Sequence, residues 1–169
     1  MKIRFENAAD YKAIEAITYQ AFENHPHHEP GAKPSEHLIV NGLRNSGALT
    51  LSLVAENERG IIGHIAFSPV KIAGEASSWF GLGPVSVKPE YQGKGVGSQL
   101  ILNGLNELAS QGAQGVVLLG EPEYYARFGF KAESELTLAG VPAQYFLVKA
   151  LTSSPLPMGE VSYHQAFNV

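Results

Sequence analysis

The chain has no cysteine among its 169 residues. That excludes a disulfide framework, thiolate zinc ligands and an acyl-cysteine intermediate. No apolar run is long enough to span a membrane, and the start, Met1-Lys-Ile-Arg-Phe-Glu6, lacks the hydrophobic stretch of a secretory signal. The expectation is a cytoplasmic protein with no membrane partner. Positive charge is also short: 12 Lys and Arg against 16 Asp and Glu give a formal net charge of -4, which argues against a nucleic-acid-binding face. Repeats, low-complexity tracts and linker-like stretches are absent too, so residues 1–169 read as one domain. What is present is a 44% hydrophobic composition, enough for a folded core that removes about 70% of the unfolded chain's surface from water.

Periodicity places the elements. Lys2 to Glu6 alternates as a strand, and Ala8-Ala-Asp10 opens a helix with Ile14, Ile17, Ala21 and Phe22 at helical spacing, ending by Pro26. Ser35 is a suitable N-cap for a second helix through Leu38, Ile39 and Leu43, stopping near Gly47. Leu49 to Ala55 and Ile61 to Ile72 read as a hairpin turning at Asn57-Glu-Arg-Gly60. Ser78 to Val87 continues as a strand, Val96 to Leu108 is an amphipathic helix, and Gly115 to Leu119 is a short apolar strand suited to the sheet centre. Ala143 to Leu151 and Glu160 to Phe167 read as further extended pieces.

Between the Val85 strand and the Val96 helix lies Gln92-Gly-Lys-Gly-Val-Gly-Ser98. Glycines here let the backbone turn through positive φ and approach a ligand, and the helix start offers unpaired N–H groups to an anion. The ATP-binding pattern is excluded because Lys94 is followed by Gly95, not Ser or Thr. The dinucleotide fingerprint is excluded because Gly93, Gly95 and Gly97 have the wrong spacing.

The run Gln92-Gly-Lys-Gly-Val-Gly97, the preceding Val85-Ser-Val87, and the later Tyr125-Ala-Arg-Phe-Gly-Phe130 together resemble the GNAT superfamily of N-acetyltransferases. The flanking Gly81-Leu-Gly-Pro-Val85 and Leu119-Gly-Glu-Pro-Glu-Tyr-Tyr125 are similar to its YhbS-like branch. The resemblance implies an α/β fold: a mixed, mostly antiparallel sheet flanked by helices, with one βαβ crossover carrying the acyl-CoA site. It implies acetyl-CoA as co-substrate, held by Val85, Ser86, Val87, Gln92, Gly93, Lys94, Gly95, Val96, Gly97 and Ser98, in a cleft where the Val85 and Gly115 strands splay. Lys94 is the expected cation for the CoA phosphates. Direct transfer to an amine of a small molecule or peptide follows, with a backbone N–H near Val87 or Ser86 polarising the carbonyl.

The resemblance points to Tyr125 as the acid for the leaving thiolate, with adjacent Tyr124 competing. The family's carboxylate falls at Gly83, which cannot act as a base. Glu121 past the central strand, His64 on the hairpin and a water chain stay open as substitutes; alternation puts His64 on the face of Ile62 and Ala66. His25, His27 and His28, beside Glu23 and Glu29, lack the fixed geometry of a metal site, so no metal is expected; the family places this loop over the acceptor. A homodimer through Ala143 to Leu151 is compatible with the family. The missing carboxylate also leaves open a non-catalytic acyl-CoA-binding module, and the glycine run alone is compatible with an anion-binding structural domain.

Overall fold

The structure is a computed structural model that describes residues 1–23 and 29–169. Strands β1 (Lys2–Phe5), β2 (Leu51–Asn57), β3 (Gly60–Ile72) and β4 (Glu75–Val87) pair in that order, each antiparallel to the one before. Next to β4 lies β5 (Gly115–Leu119), then β8 (Phe146–Ala150), then the two-residue β6 (Lys131–Ala132). Only β4 and β5 in this path are parallel, and their crossover is helix α3 (Val96–Ser110). This is the mixed, mostly antiparallel sheet with one βαβ unit that the sequence implied.

Each face has its own cover. On one, α3 lays Val96, Leu100, Ile101, Leu105 and Leu108 onto Ile65, Phe67, Val116 and Leu118. A Cβ at Gly104 would overlap the Phe67 ring, so glycine there lets α3 lie close to the sheet. On the other, α1 (Tyr11–Phe22) and α2 (Glu36–Asn45) cover the hairpin half, with Ile14 and Val40 against Val54. Each such buried aliphatic side chain stabilises the fold by about 1.5–3 kcal/mol. Farther along this second face, Trp79, Val117 and Val148 pack with Leu136 of β7 (Leu136–Thr137) and Val161 of β9 (Gly159–Ser162).

The N-terminal helix starts where the sequence put it, for a local reason. Asn7 accepts from Ala9 N at 3.0 Å, and Asp10 accepts from Asn7 N at 2.8 Å, closing a capping box. Residues Ala8–Asp10 form a 3-10 turn before α1 begins at Tyr11. Three expectations need correcting. Ala143–Tyr145 is a 3-10 turn after Pro142, so the strand there begins at Phe146. The last extended piece stops at Ser162, and Gln165–Phe167 is another 3-10 turn, its backbone capped by the His164 ring. Nor is β8 a free edge along its length, because β5 pairs with one side throughout and β6 covers Leu147 and Val148 on the other. Ser35 occupies the N-cap position of α2 without a side-chain capping bond. His25, His27 and His28 lie outside the described residues.

Candidate acetyl-CoA and acceptor site

The parallel pairing of β4 and β5 ends at Gly81–Val117, although β4 continues for six residues and β5 for two. Beyond that apex the strands part, as expected. A register shift in the β3–β4 ladder between Ile65–Val85 and Phe67–Leu82 places Gly83 and Pro84 as a bulge at the start of the parted segment. Pro84 has no N–H, so the bulge leaves no donor unpaired at that residue.

Backbone direction along the parted segment follows from a single bond. Lys88 N donates to Ile62 O at 2.9 Å, so Lys88 faces β3. Successive residues in an antiparallel ladder turn their N–H and C=O to opposite sides. Ser86 therefore faces β3, opposite His64, while Val85 and Val87 turn theirs into the cleft. This corrects the expectation that Ser86 N–H polarises the substrate carbonyl: its backbone is committed to the sheet. The Val87 carbonyl takes the Gln92 side-chain amide at 2.9 Å, which ties the glycine loop to the strand.

That loop closes at the same end of the cleft. Gly93 has φ 75° and Gly95 φ 86°, both in the left-handed region that only glycine enters cheaply. The first helical bond of α3 is Gln99 N to Gly95 O at 3.1 Å, so the N–H groups of Val96, Gly97 and Ser98 precede it. They border a cavity of ≈ 350 Å³ together with Val87, Gln92, Gly93 and Gly95. Its far wall comes from the segment after β5: Tyr124, whose hydroxyl is 3.3 Å from Ser98 Oγ, and Arg127. Arg127 lies over the Tyr124 ring, 4.5 Å from its centroid, and bonds the Tyr124 carbonyl at 2.9 Å. Backbone donors, a helix start and a guanidinium suit an anionic phosphate.

Seven of the ten residues expected to hold CoA thus surround one cavity. Lys94 does not border it. It is exposed, with Nζ 5.8 Å from the Tyr91 ring centroid, and the cation in the wall is Arg127. Val85 and Ser86 stand farther along β4. Arg127 was visible as part of the Tyr125–Phe130 motif, but its role depends on the α4 segment (Pro122–Tyr125) lying against α3, a contact no local pattern reveals.

The two tyrosines diverge. Tyr124 faces the phosphate-side cavity, whereas the Tyr125 ring lies where a Cβ on Gly120 would sit, at the end of β5, and packs edge-on against Phe130. Burial, reinforced by the Tyr124 hydroxyl, pushes the Tyr125 pKa up to about 12. Glu121 is exposed at the N-cap of α4 and borders a second, mainly apolar cavity of ≈ 390 Å³ with Leu119, Val141 and Tyr145.

His64 is elsewhere. It shares the face of Ala66, as alternation implies, but not that of Ile62, which is the extra residue of a bulge opposite Ala55 and Glu56 and packs with Ile65 and Phe67. His64 itself is completely buried and its Nε2 is 2.8 Å from Ser52 Oγ. Ser52 spends its proton on Glu6, at 2.6 Å, and Glu6 is held by Arg44 at 2.8 Å and 3.0 Å. The imidazole must then donate from Nε2. Burial pushes its pKa down to about 4, the Glu6 charge resisting. It is a neutral structural hydrogen-bonder beneath the helices.

No His, Asp or Glu cluster able to hold a metal occurs among the described residues, and none of their helices is long and apolar enough to cross a membrane. Residues 49–132 match the acetyltransferase (GNAT) domain. The chain is 37% identical to the uncharacterized N-acetyltransferase YhbS of Escherichia coli (strain K12), across 99% of both chains. A GNAT family acetyltransferase from Brucella melitensis, solved in complex with acetyl-CoA, is 46% identical, covers 98% of this chain and 97% of its own, and superposes with a TM-score of 0.84. YhbS from E. coli, solved in complex with CoA, superposes with a TM-score of 0.89 at 36% identity, over 99% of this chain and 92% of its own. A parted β4–β5 pair with a glycine loop at its open end, carried on a sequence this similar to YhbS over its whole length, places the chain in the GNAT family of acetyl-CoA-dependent N-acetyltransferases.

Proposed function

We propose that the chain carries the acetyl group of acetyl-CoA directly to an amine of a small molecule or peptide, as one cytoplasmic domain over residues 1–169 that is compatible with a homodimer. The observation that carries this reading is the geometry of β4: its open edge at Val85 and Val87 leads into the loop where Gly93 and Gly95 turn through positive φ. An extended pantetheine arm fits that edge as an added strand, with its phosphates at the start of α3 and Arg127. The Brucella relative with acetyl-CoA and YhbS with CoA support the choice of ligand.

Acetyl-CoA supplies an activated thioester; the chain's own residues do the rest. An N–H of Val85 or Val87, aimed into the cleft, hydrogen-bonds the carbonyl oxygen and stabilises the charge that grows there. The Tyr125 hydroxyl, kept protonated by burial, gives its proton to the departing sulfur. Glu121, exposed past the end of β5, takes the proton of the incoming ammonium directly or through water. The test is release of CoA thiol from acetyl-CoA with a panel of amines. Release faster than hydrolysis is expected with at least one amine, and Glu121→Gln should slow it. Tight CoA binding with no release for any amine would favour the non-catalytic binding module, and failure to bind CoA would return the loop to a structural role.

A further inference from the structure

The acceptor has to reach the apex of the cleft. One face there is filled by α3, so an amine approaches from the face of α1, α2 and the C-terminal segment. On that face the Tyr163 ring occupies the space a Cβ on Gly81 would take, and Gly81 is the last residue of β4 paired to β5. Ser68 stands directly opposite Gly81 in the β3–β4 ladder, on the same side as that ring. Its Oγ is fully buried and has no hydrogen-bond partner among the described residues. Ser68 thus puts a buried, unpartnered hydroxyl at the apex, on the side of the Tyr163 ring.

Tyr163 also borders a cavity of ≈ 550 Å³ between the β3–β4 hairpin and the C-terminal segment. Its lining is rich in donors: Lys71, His164, Gln165 and Asn168. His164 Nδ1 accepts from Ala166 N at 3.0 Å, so a neutral ring carries its proton on Nε2. No carboxylate pairs with Lys71 among the described residues, although the chain as a whole is acidic. A cation and neutral donors gathered without a carboxylate recognise an anion. The volume is that of a small-ligand pocket, far below what a folded partner needs.

We propose that this cavity seats the acceptor, that the acceptor is a small primary amine bearing a carboxylate or phosphate group, and that Tyr163 joins the cavity to the cleft. The anionic group meets Lys71 and His164, and the amine lies towards Gly81 with the Tyr163 hydroxyl accepting one of its N–H bonds. Tyr163 is a positioning residue, since its burial favours the protonated phenol. The proposal rests on the acetyl-transfer reading, and binding must therefore be measured apart from turnover.

The probes are matched pairs: a free α-amino acid against its carboxamide, and O-phosphoethanolamine against ethanolamine, each titrated into CoA-saturated protein by calorimetry and then assayed with acetyl-CoA. The anionic member of at least one pair should bind about tenfold tighter, the worth of one charge-assisted hydrogen bond, and which pair responds separates carboxylate from phosphate. Lys71→Gln should remove that gap without changing CoA affinity. Tyr163→Phe, which keeps the ring on Gly81, should raise KM for the amine and leave KM for acetyl-CoA alone. Equal affinity within both pairs, or a gap that survives Lys71→Gln, would overturn the proposal. Lys71-dependent binding with no CoA thiol released would uphold the anion site and count instead against acetyl transfer.

Discussion

Replacing Gly95 separates the stability of the glycine loop from its ligand function. At φ 86° and ψ 3° it occupies the left-handed region, and a Cβ there would meet no atom within 4 Å. The cost of Gly95→Ala is therefore conformational only, about 1–2 kcal/mol, and greater for the β-branched Gly95→Val. In a chain of this size that lowers Tm by about 2–4 °C per kcal/mol. CoA binding should suffer more than stability. If the loop relaxes to avoid strain, the Val96, Gly97 and Ser98 N–H groups turn away from the anion, and hydrogen bonds to a charged group are worth about 1.5–3 kcal/mol each. Losing even one raises Kd for CoA at least about tenfold. The internal control is Gly97, which has no positive φ and whose added Cβ would lie 3.6 Å from Val87 Cγ2 and 3.9 Å from the Tyr124 hydroxyl, ordinary contacts. Gly97→Ala lies inside α3 and should hold or raise Tm, by up to about 1 kcal/mol of helix propensity. Calorimetry with CoA and thermal melts on the three variants decide the matter. If both Gly95 variants bound CoA within about twofold of the parent while melting lower, the loop would be a turn and not a phosphate seat.

Arg127→Gln should weaken CoA binding about tenfold to a hundredfold, with the difference shrinking at high salt; a salt-independent effect would count against a phosphate contact. Tyr125→Phe should lower kcat by about 10²–10⁴ with unchanged Kd for CoA, whereas Tyr124→Phe should loosen CoA and spare kcat; the reverse pattern would exchange the two assignments. His64 gives a pH signature. Its folded pKa of about 4 lies below the ordinary 6.5, so the unfolded chain takes up a proton first and stability falls as pH drops from about 6.5 to about 4, by roughly 3 kcal/mol in all. Urea melts should show that slope above pH 5, before the carboxylates of Glu6 and Asp10 enter, and His64→Gln should flatten it.

What could be read from the sequence was whatever local chemistry dictates. The β2–β3 turn, the glycine loop and the α3 stripe declare themselves through turn residues and spacing, and all three stand where expected. Two-residue strands such as β6 and β7 carry no period to detect. That His64 shares a face with Ala66 but not with Ile62 was lost to one extra residue at Ile62, since a bulge reverses alternation beyond it. Arg127 replaced Lys94 in the cavity wall because α4 docks on α3, and Tyr163 reaches Gly81 because the chain's last turn comes back across the sheet. Those placements are tertiary, and neither spacing nor composition encodes them in a single chain.

The parting of β4 from β5 also leaves an alternating pattern of amide protection written into one strand. Ser86 N–H is engaged with β3, whereas those of Val85 and Val87 point to an open edge and exchange with solvent unless something lies along it. A ligand that acts as the missing strand would slow exchange at 85 and 87 and leave 86 as it was. The sheet is thus an unfinished one, and its deuterium record would show whether the co-substrate is the piece that completes it.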